Sequence, residues 1–148
     1  MAVTTTPTPT VKTNAPGRAA NAGLWVLQVL LAGAFLMAAG TKFAATPEAV
    51  AGFERIGLGP WQMYAIGVIE SVGAIALLVP LLSGPAALGL VALLVGATVI
   101  QAVADPATVL FPIAYLVPMA LVAWGRRERT TRFVRLVVTR VRPPRANP

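Results

Sequence analysis

Long stretches without charge alternate with short polar segments along this chain. No charged residue occurs from Ala19 to Thr41, from Ser71 to Ala104, or from Pro106 to Gly125. The middle stretch is too long for one membrane-spanning helix, and Pro80 and Ser83-Gly84-Pro85 interrupt it. Since a spanning helix needs about 20 apolar residues, the pattern predicts four spans, at about 19–41, 60–82, 85–104 and 106–125.

A short amphipathic segment separates the first two spans. Thr46 suits a helix N-cap, Pro47 suits the first helical position, and Gly57 can end the helix. The apolar residues between them fall on one face, which is typical of a helix lying on a membrane surface. The predicted fold is therefore all-α: a four-helix transmembrane bundle with a short interfacial helix between spans 1 and 2.

The two ends of the chain differ from this central part. Residues 1–21 are rich in Thr and Pro and are expected to form a disordered tail. Residues 22–125 form the predicted membrane domain, and residues 126–148 form a basic tail. A secretory signal peptide is the alternative for the first apolar stretch, but that stretch is longer than a usual signal and has a poor cleavage site.

The composition narrows the chemistry. The chain is 57% hydrophobic and only 11% charged, whereas soluble domains are about a quarter charged. It has no Cys and no His, so disulfides, thiol chemistry, zinc sites and iron–sulfur ligation are excluded. No intrinsic cofactor is expected, and any redox chemistry must come from a partner or from a bound small molecule.

The positive charge lies mainly at the two ends. The net charge is +7, and eight arginines follow Gly125. By the positive-inside rule both termini are cytoplasmic, and a composition rich in Ala, Gly, Pro and Arg hints at the cytoplasmic membrane of a bacterium. The segment Arg126–Arg142 is expected to contact anionic inner-leaflet lipids, or simply to enforce this topology. No nucleic-acid recognition motif accompanies it.

Glu70 is the residue most indicative of function. It is the only charged residue of the second span, roughly 13 Å from the Trp61 end. A charge at that depth is costly and is a functional-site hypothesis by default. We expect a ligand or proton site in the outer half of the bundle, built from Glu70, Lys42, Tyr64, Thr98, Gln101 and Asp105. The alternative is that a protonated Glu70 only hydrogen-bonds across helices.

Small residues are expected to let the spans pack closely. They include two residues beside Glu70 and glycines one heptad apart in the first and third spans. The predicted packing residues are Gly33, Gly40, Gly67, Ser71, Gly89 and Gly96.

Three segments carry a family resemblance: Gly33–Phe43 with its Gly40-Thr-Lys42-Phe43, Phe53–Pro60, and Ile66–Leu77 with its Gly67-Val-Ile-Glu70. In them the chain resembles the DoxX-like family of small four-helix bacterial membrane proteins. Relatives often carry a histidine in the outer part of the third span, where this chain reads Thr98-Val-Ile-Gln101, so no imidazole role is expected here.

The resemblance implies a function without specifying it. Some relatives look like subunits of quinone-linked oxidoreductases or of oxidative-stress assemblies. The first expectation is thus a non-catalytic accessory or anchor subunit, with a quinone as the candidate ligand and either an oxidoreductase partner or a homo-oligomer. The second is a small proton-coupled solute carrier using Glu70. An enzyme using Glu70 as acid or base comes last, since no second catalytic group is evident.

Overall fold

The computed structural model describes residues 17–141, which form a helical bundle. The α-helices of this part of the chain are α1 (Arg18–Phe43), α2 (Pro47–Arg55), α3 (Pro60–Leu78), α4 (Ser83–Ala104), α5 (Leu110–Gly125) and α6 (Arg127–Val141). A short 3-10 helix at Pro106–Thr108 precedes α5. Four helical segments are long and apolar enough to cross a membrane, namely α1, α3, α4 and 106–125. The predicted four-helix bundle with a short helix after its first span is confirmed.

Several boundaries differ from those predicted. The first span begins at Arg18, so residues 18–21 are helical rather than part of a disordered tail. The second span ends at Leu78 rather than near residue 82, because Pro80 cannot donate a backbone hydrogen bond to continue it. The basic tail forms α6 up to residue 141. Residues 1–16 and 142–148 lie outside the described part of the chain.

The four spans form a ring in which each packs against two neighbours. Helix α3 contacts α1 and α4, and α5 contacts the same two helices from the other side. The side chains at the centre of the ring are buried and apolar: Leu31, Ala32, Phe35, Ala74, Leu77, Ala87, Leu90, Leu94, Met119, Val122 and Ala123. This apolar core divides the bundle into two polar ends. We call the end with Arg18 and Arg126 the terminal end, and the opposite end the α2 end.

The α2 end is shaped by the short helix between the first two spans. The Thr46 hydroxyl accepts a hydrogen bond from the Ala49 backbone N–H at 3.4 Å, as predicted for an N-cap. The turns on either side of α2 contain Ala45 and Gly57, with φ angles of 46° and 75°. A left-handed backbone is easy for glycine and uncommon for alanine. The two turns place α2 across the ends of the spans.

The terminal end is held together by Arg126. This residue is only 3% exposed; its Nε donates to Gln28 Oε1 at 2.7 Å and its Nη1 donates to Asn21 Oδ1 at 2.6 Å. The Gln28 amide in turn donates to the Leu77 carbonyl at 2.7 Å. Arg126 was expected to face lipid with the rest of the basic tail. It instead joins the start of α6 to α1, because its buried guanidinium needs acceptors.

Helix α6 packs on the beginning of α4 at a glycine. A Cβ on Gly84 would lie 2.8 Å from both the Arg126 carbonyl oxygen and the Thr130 backbone nitrogen. Arg129 adds a polar contact there, because its Nη1 donates to the Pro80 carbonyl at 3.0 Å. The basic segment is thus docked on the bundle through its first turns.

Candidate ligand site

A cleft of about 520 Å³ opens at the α2 end between α1, α2, α3 and α4. Its walls are mostly apolar and include Phe35, Phe53, Ile66, Leu93 and Ile100. Its polar lining includes four of the residues predicted from the sequence: Lys42, Glu70, Gln101 and Asp105. A cleft of this size and character is typical of a small-molecule site.

The central feature of the cleft is an ion pair between α1 and α3. Lys42, in the last turn of α1, places its Nζ 2.8 Å from Glu70 Oε2, and both side chains are largely buried. The same Nζ donates to the Ala38 carbonyl at 3.2 Å and lies 6.0 Å from the centre of the Phe53 ring. Pairing offsets part of the desolvation that each charge suffers among apolar helices.

The close approach of α1 to α3 depends on Gly67, one turn before Glu70. A Cβ at this position would lie 3.1 Å from the Phe43 ring and 3.4 Å from the Lys42 Cβ. Gly67 therefore lets the end of α1 come close enough for Lys42 to reach Glu70. Ser71, predicted to serve the same packing, donates its hydroxyl to the Gly67 carbonyl of its own helix at 2.9 Å.

Gln101 contributes an acceptor that has no donor. Its Oε1 is buried and has no hydrogen-bond partner within the described residues. Buried polar atoms are nearly always paired, and Gln101 lines the cleft, so a ligand that donates to this oxygen would satisfy it. Gln101 and Glu70 also border a second cavity of about 180 Å³ beside Pro112 and Tyr115 of α5. Glu70 and Gln101 therefore lie between the cleft and this second cavity.

A second ion pair joins α2 to the end of α4 beside the cleft. Arg55 Nη1, in the last turn of α2, lies 3.2 Å from Asp105 Oδ2 at the end of α4. The Arg55 side chain is 59% exposed, so this pair adds little stability. Arg55 was missing from the predicted site. The sequence offered one signal for this pair: Arg55 and Asp105 have opposite charges and both lie in segments that connect spans on the same side of the predicted bundle.

Two predicted site residues do not belong to this cluster. Tyr64 is 40% exposed on the outside of α3, and it is absent from the lining of either cavity. The Thr98 hydroxyl donates to the Leu94 carbonyl of its own helix at 2.7 Å and does not line the cleft. An intrahelical bond of this kind satisfies a threonine inside an apolar span, so Thr98 needs no partner across the bundle.

Most of the predicted packing glycines are also not at helix contacts. A Cβ added at Gly33, Gly40, Gly89 or Gly96 would meet no atom within 4 Å in the part of the chain described. These positions are exposed, since their helices turn other faces to the core. Gly96 is exposed for a particular reason: it lines the cleft, where a side chain would occupy the open space.

Sequence comparison identifies the family. The model of the DoxX-like family matches residues 26–122, about two thirds of the chain. The chain belongs to the DoxX-like family. It is thus a multi-pass membrane protein. Searches among curated proteins and among solved structures gave no match.

The DoxX-like match covers one polar end of the bundle fully and the other only in part. Lys42, Glu70, Gln101 and Asp105 all lie within residues 26–122. Arg18, Arg126 and α6 lie outside that range. The cleft is therefore part of the DoxX-like domain, while the arginine network joins that domain to the segments that flank it.

Proposed function

We propose that this DoxX-like protein is a non-catalytic membrane subunit that binds a quinone-class ring in its cleft and serves an associated oxidoreductase. The observation that carries the proposal is the buried Lys42–Glu70 pair at the wall of a cleft that is otherwise mostly apolar. A quinone carries electrons and protons between membrane proteins. The chain has no Cys or His to ligate a redox metal, so electron transfer would take place in the partner.

The donors and acceptors of the cleft fit such a ring. A quinone presents two carbonyl oxygens, which need N–H or O–H donors, and a quinol presents two hydroxyl donors. The Lys42 ammonium has three N–H groups, of which one donates to the Ala38 carbonyl, and it also pairs electrostatically with Glu70. The Gln101 amide adds donors, and its unpartnered oxygen can accept from a hydroxyl. Phe35 and Phe53 supply aromatic walls.

A proton-coupled carrier is the second candidate, with Glu70 as the titrating group. The observation in its favour is the position of Glu70 between the two cavities. Both cavities, however, lie on the α2 side of the apolar core, in which Leu31, Leu77, Leu90 and Met119 are 5% exposed or less. A carrier would have to open that core in every cycle, whereas a binding subunit would not.

The proposed location is the cytoplasmic membrane of a bacterium, with both termini in the cytoplasm. The basic residues at the two ends, which are mainly the arginines after Gly125, support this orientation. Because the chain has no cysteine, single cysteines at Ala51 and Thr139, both exposed, provide a clean test. A membrane-impermeant thiol reagent applied to whole cells should label Ala51→Cys only. Labelling of Thr139→Cys alone would show that the protein has the opposite orientation.

The functional proposal is tested by extracting the tagged protein from its native membrane in mild detergent and identifying bound proteins and lipids by mass spectrometry. An oxidoreductase should co-purify in stoichiometric amount together with a quinone. The ratio of quinone to protein should fall about fivefold in Gln101→Leu, as expected for one lost hydrogen bond. It should be unchanged in Thr98→Val, a matched change on the same helix outside the cleft.

Other results would count against the proposal. The absence of both a quinone and an oxidoreductase from the wild-type extract would contradict it. A proton or solute flux in liposomes that Glu70→Gln abolishes would favour the carrier instead.

A further inference from the structure

A second pocket lies at the terminal end of the bundle, far from the cleft. It has a volume of about 290 Å³ and lies where the start of α1 meets the start of α6. Its lining consists of Arg18, Asn21, Gly125, Arg126, Glu128, Arg129 and Arg132. Four guanidinium groups against one carboxylate give this pocket a net charge of about +3.

The positive charge of this pocket is not neutralised within the described part of the chain. Both ion pairs found among residues 17–141 lie at the α2 end, not here. Arg126 Nη2 is buried and has no hydrogen-bond partner in the same range. A buried guanidinium donor without an acceptor is costly, and an anion in the pocket would offset that cost.

The cations of the pocket also oppose one another. Burial lowers the pKa of the Arg126 guanidinium from its ordinary value, and the charge of Arg129 lowers it further. Burial likewise lowers the pKa of Arg129, and Arg132 adds to that effect. Arginine remains charged in proteins, so burial first and like-charge repulsion second make these cations costly. A bound anion would offset that cost.

The backbone adds to the positive potential. Helix α1 starts at Arg18 after Gly17, which provides no side-chain cap for the first N–H groups, and α6 starts at Arg127. The N-terminus of a helix carries a partial positive charge and binds phosphate and similar anions. Two such ends meet at a pocket whose side chains are themselves cationic.

The aromatic residues set the depth of the pocket. The Arg126 and Arg129 guanidinium carbons lie 5.4 Å and 5.9 Å from the centre of the Trp25 ring. Arg127 stacks in the same way on Trp124, at 5.0 Å. Tryptophan is enriched at the level of the lipid headgroups. Two tryptophans at this pocket support a position level with the phosphates of one leaflet.

We infer that the pocket formed by Arg18, Arg126, Arg129 and Arg132 is a binding site for a phosphate group, presented by an anionic phospholipid of the leaflet at the terminal end or by free phosphate in solution. Guanidinium groups suit phosphate because they bind it bidentately. Glu128 at the rim favours a singly charged phosphodiester over a more highly charged anion. The site is independent of the quinone cleft, since the apolar core separates the two.

The test compares two double variants of the full-length protein. Arg18→Gln/Arg132→Gln removes two pocket cations that are exposed and leaves the Arg126 network intact. Arg135→Gln/Arg140→Gln removes two exposed cations of α6 outside the pocket and is the matched control. Native mass spectrometry in a neutral detergent measures the affinity for phosphatidylglycerol, for phosphatidylcholine and for inorganic phosphate.

We expect the wild type to bind one phosphatidylglycerol in preference to phosphatidylcholine. The pocket variant should lose roughly tenfold to thirtyfold in that affinity, because each basic residue near an anionic headgroup contributes about fivefold. The control variant should retain it. Displacement of the lipid by millimolar phosphate, or phosphate binding without lipid preference, would assign the site to the free anion. An equal loss of phosphatidylglycerol affinity in both variants would contradict the proposed site. So would a wild type that binds phosphatidylglycerol no better than phosphatidylcholine and does not bind phosphate.

Discussion

The ammonium of Lys42 lies 2.8 Å from the carboxylate of Glu70, which joins the end of α1 to the middle of α3. Glu70 is 8% exposed, and beyond it towards the terminal end lies the apolar core. The pair therefore lies at the floor of the cleft at the α2 end rather than on a path through the bundle. It fixes the geometry of two helices and leaves part of each polar group facing the cleft.

Removing one member of this pair should destabilise the bundle. We expect Glu70→Gln and Lys42→Met each to lower the free energy of unfolding by roughly 3 kcal/mol, because each leaves a partly buried charge without its partner. The double variant Lys42→Met/Glu70→Gln should lose less than the sum of the two. Denaturant titrations in mixed micelles, followed by circular dichroism, measure all four proteins. Additive losses would show that the two groups do not interact.

The approach of α1 to α3 should depend on Gly67. Gly67→Ile should lower the free energy of unfolding by about 1–3 kcal/mol, as overpacking usually does, because the new side chain meets Phe43 and Lys42. Gly89→Ile is the matched control, since that glycine has no neighbour within 4 Å of an added Cβ in the described chain. The same denaturant titration applies. If Gly89→Ile lowered the free energy of unfolding as much as Gly67→Ile does, the close contact at Gly67 would not be the cause of the loss.

The docking of α6 should depend on Gly84. Gly84→Ala would bring a Cβ within 2.8 Å of the backbone of Arg126 and Thr130, and backbone atoms cannot move aside as a flexible side chain can. We expect α6 to detach while the four spans stay folded. Trypsin should then cleave at Arg129 and Arg132 at least tenfold faster than in the wild type, with Gly89→Ala as the control. Unchanged cleavage would mean that α6 is not held at this contact.

Hydropathy was sufficient to predict the number of spans, and local capping signals were sufficient to predict the short helix with its Thr46 cap. These features depend on length, on charge and on local capping, all of which are local properties of the chain. Lys42 was predicted to lie in one cluster with Glu70, because it is the cation next to the first span at the same end of the bundle. Several of the residues that line the cleft could thus be chosen from the sequence.

The rotation of each helix about its own axis could not be predicted. When a span is apolar on all sides, hydropathy does not indicate which face turns inward, so Tyr64, Gly33, Gly40 and Gly89 were assigned to the wrong side. Thr98 was misassigned because its hydroxyl can bond within its own helix.

The inward turn of Arg126 was also missed. It depends on acceptors from Asn21 and Gln28, about a hundred residues away in the chain. Contacts of this kind arise only in the folded bundle.

The most direct test of the central proposal is to fill the cleft without changing its charges. Gly96 lines the cleft, and Gly89 lies two turns earlier on the same helix outside it; both are open to an added side chain in the described structure. Binding of a short-chain benzoquinone to purified wild type, Gly96→Leu and Gly89→Leu is measured by equilibrium dialysis. We predict that Gly96→Leu weakens binding at least tenfold while Gly89→Leu matches the wild type. Equal binding by all three proteins would contradict the assignment of the cleft as the quinone site.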